Sequence, residues 1–108
     1  MSLYAEYMKE VYDKNVIENK ISLIVWSKDD DIFYIEDIFI KEGYRSQGIG
    51  REMVDYLVTL AKEHGCTKLL GSISLLSKYK DENMRKFLKY GFKITSLGHN
   101  IIFLTKDI

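Results

Sequence analysis

Residues Tyr34–Met53 constrain the fold more than any other stretch of this chain. They read Tyr-Ile-Glu-Asp-Ile-Phe-Ile, then Lys-Glu-Gly-Tyr-Arg-Ser-Gln-Gly-Ile-Gly, then Arg-Glu-Met. The first run is rich in Ile and Phe, which suit the pleated, half-buried surface of a strand. After the glycines, Met53, Leu57, Leu60 and Ala61 recur at helical spacing. The order is therefore strand, glycine-bearing turn, helix. Such a turn offers backbone N–H groups at a helix N-terminus, where the dipole also favours negative charge. An anion site is expected here, and the remaining residues must say whose anion it is.

The whole-chain properties narrow the choice. A chain of 108 residues is expected to form one domain, 1–108. Lys plus Arg and Asp plus Glu each number 16, so the formal net charge is zero. That balance gives no general attraction to nucleic acid or to an anionic membrane. One cysteine excludes an internal disulfide and a cysteine-based zinc site. No apolar run is long enough to span a bilayer, and the N-terminus lacks a basic segment leading into an apolar one. A cytoplasmic location is the resulting expectation. Proline is absent, so glycine, asparagine and aspartate must punctuate the chain.

Taken in order, Leu3–Asp13 predicts a short amphipathic helix with Ser2 as its cap. Its tyrosines read as core by default, or else as a lip over a pocket. Lys14–Lys20 holds a very short strand or a connection. Ile21–Trp26 and Ile32–Ile40 predict strands of an antiparallel hairpin, with Ser27–Asp31 as a charged turn. The run Asp29-Asp30-Asp31 lacks the spacing of a calcium loop and reads as a solvated tip, so no metal is expected. Gly48–His64 predicts the central helix, closed by Gly65, with His64 in the last turn. Lys68–Leu76 predicts a strand buried on both faces or nearly so. Strand, helix and strand over this length form a βαβ unit with two parallel strands. Cys66 has no histidine at a suggestive offset and reads as a buried bystander. Tyr79–Tyr90 predicts a second helix with Met84, Phe87 and Leu88 inward. Phe92–Ser96 and Ile101–Thr105 predict a hairpin around an exposed His99. The fold class is α+β, with a mixed sheet.

Three phosphate-binding turns can be tested against the glycines. A Walker loop has a glycine, four intervening residues, and then Gly-Lys-Ser or Gly-Lys-Thr. Gly43 and Gly48 have that spacing, but Ile49-Gly50 follows, so the lysine and the magnesium hydroxyl are missing. The dinucleotide fingerprint needs a third glycine where Met53 stands. The third turn fits. Arg45-Ser46-Gln47-Gly48-Ile49-Gly50 resembles Arg/Gln-x-x-Gly-x-Gly/Ala, the pyrophosphate-binding signature of the GNAT superfamily of N-acetyltransferases. Phe87-Leu88-Lys89-Tyr90-Gly91-Phe92 is similar to that family's helix end, Tyr-x-x-x-Gly-Phe. The resemblance covers roughly Ile21–Thr105. Within the superfamily, Ile35-Glu36-Asp37-Ile38-Phe39 followed by Tyr44-Arg45 looks most like the diamine acetyltransferases.

The resemblance implies acetyl-coenzyme A as cosubstrate and an amine, small or on a protein, as acceptor. Glycines at 48 and 50 would let backbone approach the pyrophosphate. Amides from Ser46 to Arg51, through Gln47, Gly48, Ile49 and Gly50, would donate to it, with Arg45 or Arg51 adding charge. Backbone of Ile38, Phe39 and Ile40 would pair with the pantetheine arm, between the strands Ile32–Ile40 and Lys68–Leu76. The amine must lose a proton before attack. Glu36 is the family-favoured base, and a carboxylate among apolar strand neighbours should have a raised pKa. Adjacent strand residues face opposite ways, so only one of Glu36 and Asp37 can face the acceptor unless a bulge intervenes. Tyr34 and Asp37 are the acceptor-side candidates.

Three departures from the family matter. Phe87 stands where the family often has the tyrosine that protonates the coenzyme A sulfur, leaving Tyr90, a water or no acid. The family's asparagine near the start of this helix is displaced: Lys80 holds its place and Asn83 follows three residues later. The N-terminal part is also reduced, so either a homodimer completes the acceptor site or the acceptor is large. The alternatives are a catalytically silent acyl-coenzyme A sensor and a binder of some other phosphate ligand.

Overall fold

The computed structural model describes residues 2–45 and 47–108, and within them three helices and six strands. The elements run α1 (Leu3–Tyr12), β1 (Asn15–Glu18), β2 (Ser22–Asp29), β3 (Ile32–Ile40), α2 (Ile49–Glu63), β4 (Lys68–Ser74), α3 (Lys80–Lys89), β5 (Lys93–Gly98) and β6 (Ile101–Asp107). The six strands form one mixed sheet in the order β1-β2-β3-β4-β6-β5. Only β3 and β4 run parallel, joined by α2 as the βαβ reading requires.

One face of the sheet carries the main core. Ile24, Trp26, Phe33, Ile35, Leu69, Ile73 and Leu104 meet Met53, Val54, Leu57 and Ala61 of α2. Met84 and Phe87 of α3 pack against the edge of that cluster. Trp26 stacks on Phe33 at 4.6 Å between ring centroids, and His64, at the end of α2, lies 5.2 Å from Trp26. Ala5 of α1 and Val25 of β2 are buried outside this cluster. Val25 alternates with Ile24 and Trp26, so it points to the opposite face. There α1 lies against β1.

Several expectations change at this level. The charged segment after Trp26 is not all turn: β2 continues through Ser27, Lys28 and Asp29, paired to Tyr34, Phe33 and Ile32. Asp30, with φ 52°, makes the reversal, and Asp31 Oδ2 accepts a hydrogen bond from Thr67 Oγ1 at 2.7 Å. Cross-strand pairing outweighs the low strand propensity of these charged residues. β4 is buried on one face only, through Leu69, Gly71 and Ile73, and it ends before the exposed Leu75 and Leu76. Leu88 points outward because α3 packs through Met84 and Phe87. The tyrosines of α1 are not core: Tyr4, Tyr7 and Tyr12 are exposed, and Ala5 is the residue α1 buries.

The helix starts differ in how they are closed. Ser2 Oγ accepts from the Ala5 amide at 3.0 Å and caps α1 as expected. Gly48 caps α2 with φ 79°, and no side chain bonds to that helix's first amides. A residue with a Cβ would be strained at that φ.

Candidate functional site

The site begins where β3 and β4 part. Their register holds for Ile32–Lys68, Phe33–Leu69 and Tyr34–Leu70, and then stops. β3 stays paired with β2 out to Ile40, while β4 stays paired with β6. The gap opens into a cleft of about 330 Å³. β3 lines it from Ile35 to Ile40, α2 contributes Gly50 and Val54, and α3 contributes Asn83, Lys86 and Phe87, with Tyr90 at its C-cap. Strand backbone without a strand partner can pair with an extended amide-bearing ligand.

At one end of the cleft lies the glycine turn. Gly48, Gly50 and Arg45 line it. The first turn of α2 leaves its amides without a side-chain cap, which suits an anion. Arg45 is fixed on this side: its Nε donates to the Ile40 carbonyl at 2.9 Å. Its guanidinium lies 5.7 Å from the Phe39 ring centroid and 5.5 Å from that of Tyr79. Arg45, and then Lys78, hold the Tyr79 phenol below its ordinary pKa. Gln47 turns back and donates from Nε2 to the Gly43 carbonyl. Ile49 packs against the core, and the exposed Arg51 is not among the residues lining the cleft. Ser46 lies outside the described residues.

Two glycines sit close beneath aromatic side chains, which would have to shift to admit a Cβ. A Cβ on Gly50 would stand 2.9 Å from the Tyr90 hydroxyl. A Cβ on Gly71 would stand 2.7 Å from the Phe87 ring. Phe87 also meets Phe92 edge to face at 4.9 Å. Phe87 is thus bound into the packing of β4, and the Tyr90 hydroxyl sits against the first turn of α2.

At the other end lie Glu36 and Asp37, and the strand is irregular there. Val25 pairs with Asp37 while Trp26 pairs with Ile35, so Glu36 is an extra residue on β3. The bulge changes the phase of the strand. Before it Phe33 and Ile35 point to the core, and after it Ile38 and Ile40 do. Asp37 thereby shares a face with Val25, and Glu36 bonds to Ser27, the partner of Tyr34. Simple alternation would have put the two carboxylates on opposite faces, whereas both lie on the face turned away from α2.

Glu36 is not isolated. Its Oε1 accepts from Lys14 Nζ at 2.7 Å and from Ser27 Oγ at 2.8 Å. Burial alone would raise its pKa, but the Lys14 and Ser27 hydrogen bonds, with the Lys14 charge, outweigh it and hold the carboxyl below its ordinary value. The raised pKa expected from apolar neighbours is therefore reversed. Glu36 also borders a second, polar cleft with Tyr12, Asp13, Lys14, Ser27, Lys28, Asp29 and Tyr34. Of the α1 tyrosines, Tyr12 lines this polar cleft.

Sequence reading did not single out Lys14, Ser27, Tyr79, Glu82 or Lys86 as site residues. Lys86 and Glu82 form an i,i+4 pair at 3.1 Å, and both line the first cleft. Their spacing was visible in the sequence; the side they face depends on how α3 docks. Cys66 is buried, and burial pushes its thiol pKa up.

Residues 9–92 match the profile of the acetyltransferase (GNAT) family. A 36-residue stretch is 42% identical to thialysine N-epsilon-acetyltransferase of Bos taurus, covering 33% of this chain and 21% of that enzyme. The fold matches that of a GNAT family acetyltransferase from Elizabethkingia anophelis, solved with acetyl-CoA bound. That match has a TM-score of 0.73 and 22% identity, and covers 98% of this chain and 87% of the other. It also matches the PaiA N-acetyltransferase of Thermoplasma acidophilum in complex with coenzyme A. There the TM-score is 0.74 with 15% identity, over 82% of this chain and 54% of that one. The chain thus aligns with about a fifth of the bovine enzyme and about half of the archaeal one.

Proposed function

Since the chain belongs to the GNAT acetyltransferase family, we propose that it transfers an acetyl group from acetyl-coenzyme A to a primary amine, with Glu36 as the proton acceptor. The observation that carries this reading is the parting of β3 and β4. It makes one continuous cleft from the uncapped start of α2 to Glu36 and Asp37.

The residues fit acetyl-coenzyme A. The α2 amides and Arg45 suit a pyrophosphate, and the run Ile38–Ile40, paired with β2 but parted from β4 on its other edge, suits the amides of a pantetheine arm. Lys86 and Asn83 face the same space from α3. The bound thioester would supply an activated acetyl group. Glu36 reaches the cleft from the bulge and also borders the polar cleft, so an amine entering from the α1 side meets it first. There Glu36 holds the ammonium and takes its proton, while Asp37 and Tyr34 add polar contacts to the acceptor. The Tyr90 hydroxyl, resting against Gly50, favours a role at the phosphate end. The coenzyme A thiol is acidic enough for its thiolate to leave without a dedicated donor.

For the acceptor, the bovine relative's name directs the first screen to thialysine, lysine and small diamines. Exposed Leu3, Tyr4, Tyr7 and Val11 along α1 favour a homodimer that covers this helix, and light scattering that gives a strict monomer removes it. The free thiol of Cys66 suits a cytoplasmic setting. No helix of the described residues is long and apolar enough to cross a membrane. A second reading, an acyl-coenzyme A sensor, is favoured by Phe87 and by the Lys14 cation on Glu36. Release of free coenzyme A with an amine panel separates the two, because a sensor releases none.

The test of binding is thermal stabilisation by acetyl-coenzyme A. Gly48→Asp should abolish it, since a carboxylate there repels phosphate and the φ of 79° strains any side chain. An unchanged shift in the variant, or no shift in the parent chain, refutes the assignment.

A further inference from the structure

An acceptor amine must sit within hydrogen-bond reach of the base that takes its proton, at about 2.6–3.2 Å. One amine of the chain already does. Lys14 Nζ lies 2.7 Å from Glu36 Oε1 and 3.4 Å from Ser27 Oγ. It arrives from the link between α1 and β1, 22 residues before Glu36, and lines the polar cleft that Glu36 shares. Glu36 in turn borders the cleft assigned to the thioester. The Lys14 side chain keeps 30% of its surface exposed and Glu36 keeps 35%. Such a partly solvated pair can open at little cost.

We propose that Lys14 is a self-acetylation site: its ε-amine occupies the acceptor position and takes the acetyl group from acetyl-coenzyme A bound to the same chain. The proposal rests on the reading given under Proposed function. Glu36 first removes a proton from the Lys14 ammonium. The Nζ lone pair then forms a bond to the acetyl carbonyl carbon, and the carbon–sulfur bond breaks with its electron pair leaving on sulfur. Of the two protons that nitrogen sheds, one ends on the coenzyme A thiolate and one in solvent. The products are an uncharged Nε-acetyl-lysine and free coenzyme A. Nothing is oxidised or reduced. Acetylation also removes the cation that pairs with Glu36, so the modified chain presents that carboxylate to external amines without an internal competitor.

The test is incubation of the full chain with acetyl-coenzyme A, followed by intact mass and peptide mapping. Exposed Lys20 and Lys89 serve as internal references for uncatalysed acetylation. Lys14 should gain its acetyl group at least about tenfold faster than either, a modest share of what positioning beside a base can give. The rate constant should not change with protein concentration. The preference should vanish in urea-unfolded chain and in Glu36→Gln, and Lys14→Arg should leave the references unchanged. Equal rates at Lys14 and the references overturn the proposal, as does a preference that survives unfolding. A rate that rises with protein concentration overturns transfer within one chain. Thermal stabilisation read on the same samples separates the levels. Stabilisation without Lys14 acetylation sinks this inference alone, and no stabilisation sinks the acetyl-coenzyme A reading with it.

Discussion

The two halves of β3 solve opposite problems with one strand. From Ile32 to Tyr34 it is paired on both edges, and up to Ile35 it sends Phe33 and Ile35 into the core. From Glu36 to Ile40 it keeps β2 on one edge and has parted from β4 on the other. The first half is fixed by burial. In the second, a bulge turns two carboxylates to one face and leaves backbone beside a cleft. A structural half and a chemical half can thus be mutated separately.

Phe33→Ala in the closed half should give the largest effect. Phe33 is fully buried and stacked on Trp26, and loss of such a side chain costs about 3–5 kcal/mol. Urea unfolding would read it as a fall in midpoint, and a change under about 1 kcal/mol would mean the two halves are not distinct in this way. Glu36→Gln in the open half should leave the urea midpoint nearly in place. Turnover of an identified amine should drop by about a hundredfold, the lower end of what general-base catalysis contributes. Retained turnover would remove Glu36 as base, and a collapsed midpoint would make it structural.

Lys14→Met should produce the smallest and most diagnostic change. Lys14 holds the Glu36 carboxyl below its ordinary value. A depressed carboxyl stabilises the fold above its unfolded pKa, and that contribution is lost as pH falls through the folded pKa. Without Lys14 the folded value should rise. The acid-side fall in Tm should then become shallower, and the acid limb of kcat/KM should move to higher pH. A profile that does not move would show that the ion pair seen here has no thermodynamic weight.

Local pattern made much of this legible. Ile32–Ile40 has the bounds read from its apolar run, and the glycine turn and α2 follow where the spacing put them. Both depend on neighbours in sequence. What local pattern left open or misread shares a different cause. The bulge at Glu36 exists because Val25 and Trp26 pair two residues against three, which only strand register reveals. The lowered Glu36 pKa depends on a lysine 22 residues away. Ser27–Asp29 belongs to β2 because β3 extends alongside it. The outward Leu88 and the seat of the Tyr90 hydroxyl follow from how α3 docks. In each case contacts distant in sequence decided the outcome.

The three residue pairs shared by β3 and β4 have a mechanical consequence. The sheet is two three-stranded leaves, β1-β2-β3 and β4-β6-β5, bound along a short spine and by the helices across it. A ligand lying in the parted region would act as an extra rung between the leaves. Binding energy would then appear as stiffness. Amide exchange should slow in both leaves when the rung is in place, and melting should shift upward with ligand concentration as mass action requires.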